Sequence, residues 1–270
     1  MAGKIVVVTG STRGIGRAIA VALAEAGHTV VVSSRSANAV EALVADLSDS
    51  GADVCGVPCD VARESDLEAL LEHALQCCGR VDVWVNNAGI SAGYRPLDEL
   101  SAQEARSVVD INLTGTVLGC RLALAHFRAN GPGHVINMTG RGYRGDPTPY
   151  TAVYAATKAA VTSLTRSLAA ENKDMPISVN AVVPGMVATD FYVDIATSPR
   201  LEATKDNWRH ALEAFGVSLA EVGAEFVRLA DMKPGSQTGR IYSLLTRART
   251  ARGVFTIMGH RMSGRMKSEP

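Results

Sequence analysis

The chain has 270 residues with 27 basic and 27 acidic side chains, so its formal net charge at pH 7 is zero. This balance argues against partners that bind through strong overall charge, such as nucleic acid or an anionic membrane. No apolar run approaches the roughly 20 residues that a membrane-spanning helix needs, and the first strand begins too early to leave room for a signal peptide. The five cysteines lack zinc-finger spacing, so we expect free thiols, no metal site and a cytoplasmic location.

Apolar strand-like runs alternate with helical patterns along almost the whole chain. In chain order, strands are predicted over residues 5–8, 29–33, 54–59, 81–85, 134–138, 177–183 and 240–245. Helical patterns follow the first strand as far as Gly27 and then cover 37–47, 65–78, 101–129, 151–171 and 219–230. In the long pattern at 101–129, Gly115 and Gly119 recur in a register that lets another element pack closely. The alternation predicts an α/β fold, a single doubly wound domain with a seven-stranded, mostly parallel sheet flanked by helices.

The turn between the first strand and the first helix, residues 9–16, reads TGSTRGIG. Glycines permit a tight turn and a close backbone approach, while the N–H groups and dipole of the new helix favour an anion. The alternative is an ordinary structural turn, because glycine punctuates many loops. The predicted cofactor contacts in this turn are Gly10, Ser11, Thr12, Arg13, Gly14, Ile15 and Gly16.

The end of the second strand bears on which dinucleotide is bound. An acidic side chain about 20 residues after such a turn binds a ribose 2′-hydroxyl, whereas an arginine suits a 2′-phosphate. Here Ser34 occupies the acidic place, Arg35 follows it, and Arg13 supplies a second cation. We therefore favour NADP(H), with NAD(H) possible; the alternative is that both arginines are merely solvated.

Further motifs follow in order: Asp60-Val61, Asn86-Asn87-Ala88-Gly89, Asn112 within DINLTG, Tyr154-Ala155-Ala156-Thr157-Lys158 and Pro184-Gly185-Met186-Val187-Ala188-Thr189. Together with the glycine turn, this set resembles the short-chain dehydrogenase/reductase family. The resemblance implies a Rossmann-type fold and an oxidoreductase that transfers a hydride between a nicotinamide and a small ketone or secondary alcohol. It also implies a homo-oligomer, either a dimer or a tetramer.

The spacing of Tyr154 and Lys158 indicates an acid/base role independently of the family resemblance. Residues four apart share a face of a helix, and an adjacent ammonium favours the phenolate of a tyrosine whose ordinary pKa is about 10. Such a pair can give a proton to a carbonyl oxygen or take one from an alcohol. The alternative is that this tyrosine and lysine are exposed on a surface helix and have no catalytic role.

The family resemblance adds a role for each remaining motif. Tyr154 would be the acid/base, Lys158 would also hold the nicotinamide ribose, and Asn112 would position a proton-relaying water chain. The other implied cofactor contacts are Asp60 and Val61 at the adenine, Asn87, Ala88 and Gly89 along the cofactor, and Pro184, Gly185, Val187 and Thr189 at the nicotinamide.

One catalytic position departs from the family pattern. A serine is expected at the end of the fifth strand, and that place falls on Gly140. We predict that Thr139 supplies the missing hydroxyl, or that a loop donor such as Arg141 or Tyr143 does so. The departure also motivates a rival hypothesis, a dinucleotide-binding regulatory or scaffold protein with impaired catalysis.

The last third of the chain holds two further segments beyond the motifs. Residues 190–218 carry Phe191, Tyr192, Trp208, His210 and Phe215 and are predicted to form a substrate lid within the 1–245 domain, although such aromatics also mark oligomer surfaces. Residues 246–270 form a basic tail. A charge run is usually solvated, and the alternative is that the tail docks on a neighbouring subunit or over the active site.

Overall fold

The structure is a computed structural model that describes residues 3–189, 196–204 and 207–262. The strands are β1 Ile5–Thr9, β2 Thr29–Ser34, β3 Val54–Pro58, β4 Val83–Asn86, β5 Gly133–Met138, β6 Ile177–Val183, β7 Met186–Val187, β8 Gly216–Val217 and β9 Ile241–Ser243. Seven of them form one parallel sheet in the order β3-β2-β1-β4-β5-β6-β9, and β7 pairs with β8 separately. The predicted doubly wound, seven-stranded α/β fold is thus confirmed.

Nine helices are described alongside the strands. They are α1 Gly14–Glu25, α2 Ala37–Asp49, α3 Glu64–Cys78, α4 Ala102–Val109, α5 Gly115–Asn130, α6 Ala152–Glu171, α7 Asn207–Phe215, α8 Leu219–Asp231 and α9 Arg247–Met262. Alternate residues of β1 enter opposite cores. Val6 and Val8 pack with α1, α2 and α8, while Ile5 and Val7 pack with α3, α5 and α6. The sheet is therefore buried on both faces, which explains its uninterrupted apolar runs.

The order of the strands fixes where a ligand can enter. The chain winds outward from β1 to β2 and β3, and then returns to the other side of β1 with β4. At such a reversal, the loops after the two central strands diverge and leave a crevice at the carboxyl ends of the strands. Both the glycine turn and the Asn86–Gly89 motif begin at this crevice.

The helical pattern at 101–129 is divided in the structure. A π-helical turn at Asp110–Thr114 separates α4 from α5. The close packing predicted from Gly115 and Gly119 is confirmed: a Cβ on Gly115 would lie 2.8 Å from Val61, and one on Gly119 would overlap the amide of Asn86.

Among the described residues, the stretch Ala102–Asn130 is long and apolar enough to cross a bilayer by length and composition alone. Half of its most apolar window is buried inside the protein. There α5 packs against α3, β4 and β5, and these contacts account for its apolar character.

The basic tail, where the structure describes it, forms helix α9. This helix packs on α7, and Arg249 pairs with Glu221 of α8. A Cβ on Gly253 would overlap the ring of Phe215, so the glycine permits the close approach of the two helices. Helix α9 thus docks through one face on the predicted lid of the same chain, while most of its described side chains are exposed.

Candidate active site

A cleft of about 1320 Å³ lies at the carboxyl ends of the strands. The glycine turn and the end of β2 line one part of it, and Tyr154 and Lys158 of α6 line another. The loops that follow β3, β4, β5 and β6 complete the walls. Every predicted cofactor contact except Ser11 and Val187 lines this one cleft.

The glycine turn has the geometry of a phosphate cradle. Gly10 has φ +65°, and a Cβ there would lie 2.9 Å from the Cα of Ala88. Arg13 precedes α1 in an extended conformation without capping it through its side chain. The first N–H groups of α1 therefore face the cleft and can donate to an anion.

Ser11 has a different role from the predicted one. Its backbone N–H donates to Ser33 O at 2.9 Å, and its hydroxyl accepts from Ser33 N at 2.8 Å. The residue is fully buried. Ser11 therefore fastens the turn to β2, and the prediction that it contacts the cofactor does not fit this geometry.

The two arginines proposed for the 2′-phosphate line the same cleft. Arg13 and Arg35 are both exposed, and Ser34 and Ser36 flank Arg35 at the end of β2. Ser36 caps α2 by accepting from Ala39 N at 3.3 Å. No carboxylate occurs in residues 34–36, so this corner offers cations and hydroxyls to a ligand.

The loops after β3 and β4 are held by side-chain bonds to backbone. Asp60 accepts from Ala62 N at 3.1 Å, which shapes the turn that follows β3. Asn87 donates to Thr9 O at 2.9 Å and to Gly10 O at 3.1 Å. Asn87 thus ties the end of β4 to the glycine turn, and this bond fixes the width of the crevice.

Tyr154 and Lys158 lie together on α6, as their spacing predicts. Lys158 is 3% exposed, and its Nζ donates to Met138 O at 3.0 Å. The Nζ atom lies 5.5 Å from the centroid of the Tyr154 ring. Burial lowers the pKa of Lys158 to about 8, because removal from water disfavours the charged form.

Asn112 lies fully buried within the π-helical turn and does not itself line the cleft. Its Oδ1 accepts from Ile90 N at 2.8 Å, and its Nδ2 donates to Ile90 O at 2.9 Å. A Cβ on Gly89 would lie 3.3 Å from the same Oδ1. The amide therefore positions the loop after β4, and the water relay implied by the family resemblance stays a prediction.

The hydroxyl of Thr139 points away from the cleft. It donates to Lys158 O at 2.9 Å, lies 3.1 Å from the Thr162 hydroxyl, and is 1% exposed. Thr139 therefore fastens β5 to α6, and the prediction that it replaces the catalytic serine does not fit. Position 140 does face the tyrosine, since a Cβ on Gly140 would lie 2.7 Å from Tyr154 Oη.

The loop that follows Gly140 offers the remaining donors. Arg141 and Tyr143 both line the cleft, and the guanidinium of Arg144 stacks 5.1 Å from the centre of the Tyr143 ring. Stacking of this kind restrains an aromatic side chain. Of the candidates considered from the sequence, these two have side chains placed to reach a substrate.

The segment after β6 contributes unevenly to the cleft. Pro184, Gly185 and Thr189 line it, whereas Val187 is 1% exposed and packs into the core beside α8. A side-chain contact of Val187 with the cofactor therefore does not fit. The predicted lid residues Phe191 and Tyr192 lie outside the described residues, as does the side chain of Trp208.

The cleft also includes residues that lie outside the predicted motifs. Leu245 and Thr250 line it together with Phe215 of α7. Thr250 belongs to α9, so the C-terminal helix forms part of the wall. His210 of α7 and His260 of α9 meet with ring centroids 4.7 Å apart, which adds a second contact between these helices. No local signal marks Thr250, because only the packing of α9 on α7 brings it to the cleft.

The comparison with known families agrees with this geometry. The family model described as short chain dehydrogenase matches residues 4–199. The chain belongs to the short-chain dehydrogenase/reductase family. The match ends before α7, α8 and α9, so it covers the glycine turn, Tyr154 and Lys158 and leaves out Phe215, Leu245 and Thr250.

One similar protein is the chloroplastic chlorophyll(ide) b reductase NOL of Oryza sativa subsp. japonica, which is 42% identical over 201 residues. The alignment covers 72% of this chain and 58% of the rice protein, so the chain spans less than two thirds of that relative.

Two solved ketoreductases share the fold over nearly the whole chain. The 3-ketoacyl-(acyl-carrier-protein) reductase from Brucella melitensis, complexed with NADH, has a TM-score of 0.79 and 26% identity, and the match covers 90% of this chain and 96% of that one. A variant of the actinorhodin polyketide ketoreductase with NADPH has a TM-score of 0.77 and 28% identity, covering 90% and 95%.

Proposed function

We propose that this short-chain dehydrogenase/reductase transfers a hydride between NADP(H) and a small ketone or secondary alcohol, with Tyr154 as the acid/base. The observation that carries the proposal is the placement of Tyr154 and the buried Lys158 in the same cleft as the glycine turn. A binding module has little need of a tyrosine beside a desolvated lysine, whereas such a pair can donate a proton to a carbonyl oxygen.

The cleft fits a nicotinamide dinucleotide. The uncapped start of α1 and the glycines of the turn suit its pyrophosphate, and Pro184, Gly185 and Thr189 line the end that would take the nicotinamide. When bound, the cofactor supplies or accepts the hydride. Lys158 uses one of its three donors on Met138 O, and the others are available to a ribose hydroxyl.

The residues of the chain handle the proton. During reduction the Tyr154 hydroxyl donates its proton to the carbonyl oxygen of a ketone, and during oxidation the Tyr154 phenolate accepts the hydroxyl proton of an alcohol. The ammonium of Lys158 stabilises the phenolate formed in the first case. Arg141 or Tyr143 would orient the substrate oxygen, in place of the serine that this chain lacks at position 140.

The preference for NADP(H) over NAD(H) rests on the corner formed by Arg13 and Arg35. Two guanidinium groups without a carboxylate in residues 34–36 favour a phosphate over a bare ribose diol. The solved relatives carry NADH in one case and NADPH in the other, so support for this preference comes from the arginines of the chain itself.

The proposed substrate class rests on the wall of the cleft that Phe215 and Leu245 line. Phe215 and Leu245 make that wall largely apolar, which favours a ketone with a hydrocarbon body. The two solved relatives are named as a 3-ketoacyl reductase and a polyketide ketoreductase, which fits reduction of a ketone, and a further similar protein is named as a chlorophyll(ide) b reductase. We further propose a cytoplasmic homo-oligomer. The exposed apolar side chains of α9, with Phe255 75% exposed, supply a candidate surface for that contact.

A second candidate function is a dinucleotide-dependent regulator with impaired catalysis. The observation that favours it is Gly140, which leaves the Tyr154 hydroxyl without the expected serine beside it. Loss of one orienting donor lowers rates by roughly 10²-fold in related chemistry, so this departure reduces turnover without removing the proton donor.

The test combines binding and turnover. NADPH and NADH are titrated by fluorescence, and a panel of ketones is then followed by nicotinamide absorbance. We expect NADPH to bind more tightly, Arg35→Ala to weaken NADPH far more than NADH, and Tyr154→Phe to lower kcat by about 10²-fold or more with NADPH affinity retained. Tight binding without turnover across the panel favours the regulator. Undiminished turnover in Tyr154→Phe overturns the assignment of Tyr154, and equal losses of both nucleotides in Arg35→Ala overturn the preference.

A further inference from the structure

Three thiols and one imidazole meet at the outer edge of the sheet, where α3 packs on β3. Cys55 lies on β3, the terminal strand, and His73, Cys77 and Cys78 lie on α3. The ligand atoms of Cys55, His73 and Cys77 all lie within 4.8 Å of one another. None of these four side chains lines the described cleft, so the cluster is separate from the candidate active site.

The helical pair already has the separation of two ligands of one ion. His73 and Cys77 are four residues apart and share a face of α3, and Cys77 Sγ lies 3.5 Å from His73 Nε2. With Zn–S and Zn–N bonds of about 2.3 and 2.0 Å, tetrahedral coordination places neighbouring sulfur and nitrogen ligands about 3.5 Å apart.

Cys55 brings the third ligand atom from the strand. Its Sγ lies within 4.8 Å of the ligand atoms of both His73 and Cys77. Cys78 follows Cys77 at the end of α3. A thiol that coordinates a metal ion loses its proton to solvent and binds as the thiolate.

We propose that Cys55, His73 and Cys77 form a binding site for a thiolate-preferring divalent ion such as Zn²⁺, with Cys78 beside the fourth position. Sulfur and imidazole ligands select zinc over magnesium and calcium, which prefer oxygen. The ion would join α3 to an edge strand that has a partner strand on one side alone. The sequence gives no spacing signal for this site, because its ligands come from a strand and the following helix.

The experiment uses the full-length protein, reduced, freed of metal with a chelator, and handled under inert gas. Co²⁺ is titrated first, as a visible substitute for Zn²⁺. We expect one Co²⁺ per chain, a thiolate-to-cobalt charge-transfer band, and displacement of the band by Zn²⁺. Cys77 is exposed on α3, so Cys77→Ser keeps the fold and is expected to weaken Co²⁺ binding at least tenfold.

Cys55→Ser and His73→Ala are expected to weaken binding in the same way. The matched control is Cys120→Ala. Cys120 is a buried cysteine on α5, a different helix from that of the cluster, and it contacts Asn86 and Asn137. Its Co²⁺ affinity is expected to equal that of the unsubstituted protein. Absence of the charge-transfer band in the unsubstituted protein, or unchanged affinity in Cys77→Ser, overturns the proposal.

Discussion

Gly140 and Tyr154 are so close that a Cβ on residue 140 would lie 2.7 Å from Tyr154 Oη. The backbone around Gly140 is held on both sides, since Thr139 N donates to Val182 O at 2.9 Å and Tyr143 N donates to Gly140 O at 3.1 Å. The phenol is the tip of a side chain that can turn. Any side chain at position 140 therefore moves Tyr154 rather than the strand.

This relationship predicts different kcat values for two small substitutions at position 140. Gly140→Ala displaces the Tyr154 hydroxyl and gives nothing in return, so kcat is expected to fall. Gly140→Ser causes the same displacement and also adds a hydroxyl that can orient the substrate oxygen. We expect kcat of the serine variant to exceed that of the alanine variant by about 10- to 100-fold, as measured with the best ketone of the panel. Equal kcat values would show that a hydroxyl at position 140 has no part in the reaction.

The buried Lys158 predicts an alkaline limit to activity. Burial lowers its pKa to about 8 in the free protein, so the ammonium is present below that pH and is lost as pH rises through it. Because kcat/KM reports the free enzyme, we expect kcat/KM for ketone reduction to fall above about pH 8.

Lys158→Arg serves as the comparison for this profile, because a guanidinium stays charged throughout the range. The alkaline limb is expected to move to higher pH in the variant, provided that NADPH titration shows an intact cleft. A limb that stays at the same pH would assign it to another group.

Much of the cofactor half of the cleft could be predicted from sequence, because its determinants are local. A glycine turn between a strand and a helix, or Tyr154 four residues before Lys158, carries its geometry within a single turn of chain. Gly119 is a similar case. The absence of a side chain at Gly119 predicts a close contact at this position, although the sequence does not identify Asn86 as the partner.

The predicted side-chain roles of Ser11 and Thr139 do not fit the structure, and the Val187 side chain points into the core, for one shared physical reason. A side chain at the end of a strand points to one of two faces, and a one-residue difference in register decides between cleft and core. The hydroxyls of Ser11 and Thr139 turned inward to bond β2 and α6. Contacts made by distant segments, such as Thr250 at the cleft, have no local pattern at all.

His134 predicts how stability depends on pH. It is 1% exposed, its Nδ1 lies 3.1 Å from Leu229 O, and its Nε2 lies 3.0 Å from Asn180 Nδ2. A neutral ring satisfies both partners, with Nδ1–H donating to the carbonyl and Nε2 accepting from the amide. Burial lowers the pKa of His134 to about 4, whereas the unfolded chain has the ordinary value of about 6.5.

The stability due to this shift is complete above about pH 6.5 and is lost as pH falls towards 4, since the unfolded state binds the proton first. The loss is about 2 kcal/mol by pH 5. Urea denaturation at pH 7 and pH 5 measures it, with His134→Gln as the comparison that cannot titrate. The drop between the two pH values is expected to be smaller in the variant by about that amount. Equal drops would show that His134 is protonated in the folded protein.

The contact between α7 and α9 predicts that the C-terminal helix affects substrate binding. A Cβ on Gly253 would overlap the ring of Phe215 and lie 2.9 Å from Ala214 O, whereas nothing lies within 4 Å of a Cβ on Gly259 in the same helix. Through helix propensity alone, replacing either glycine by alanine stabilises the helix by about 1 kcal/mol. Gly253→Ala, however, also separates α9 from α7 and displaces Phe215 at the cleft.

We therefore expect Gly259→Ala to raise Tm slightly and to leave KM unchanged. Gly253→Ala is expected to lower Tm and to raise KM for the ketone severalfold, while NADPH affinity, which we assign to the glycine turn, Arg13 and Arg35, stays the same. Thermal unfolding and steady-state kinetics on the two variants provide the comparison. Matching Tm and KM values in both would show that the docking of α9 on α7 has no influence on the substrate site.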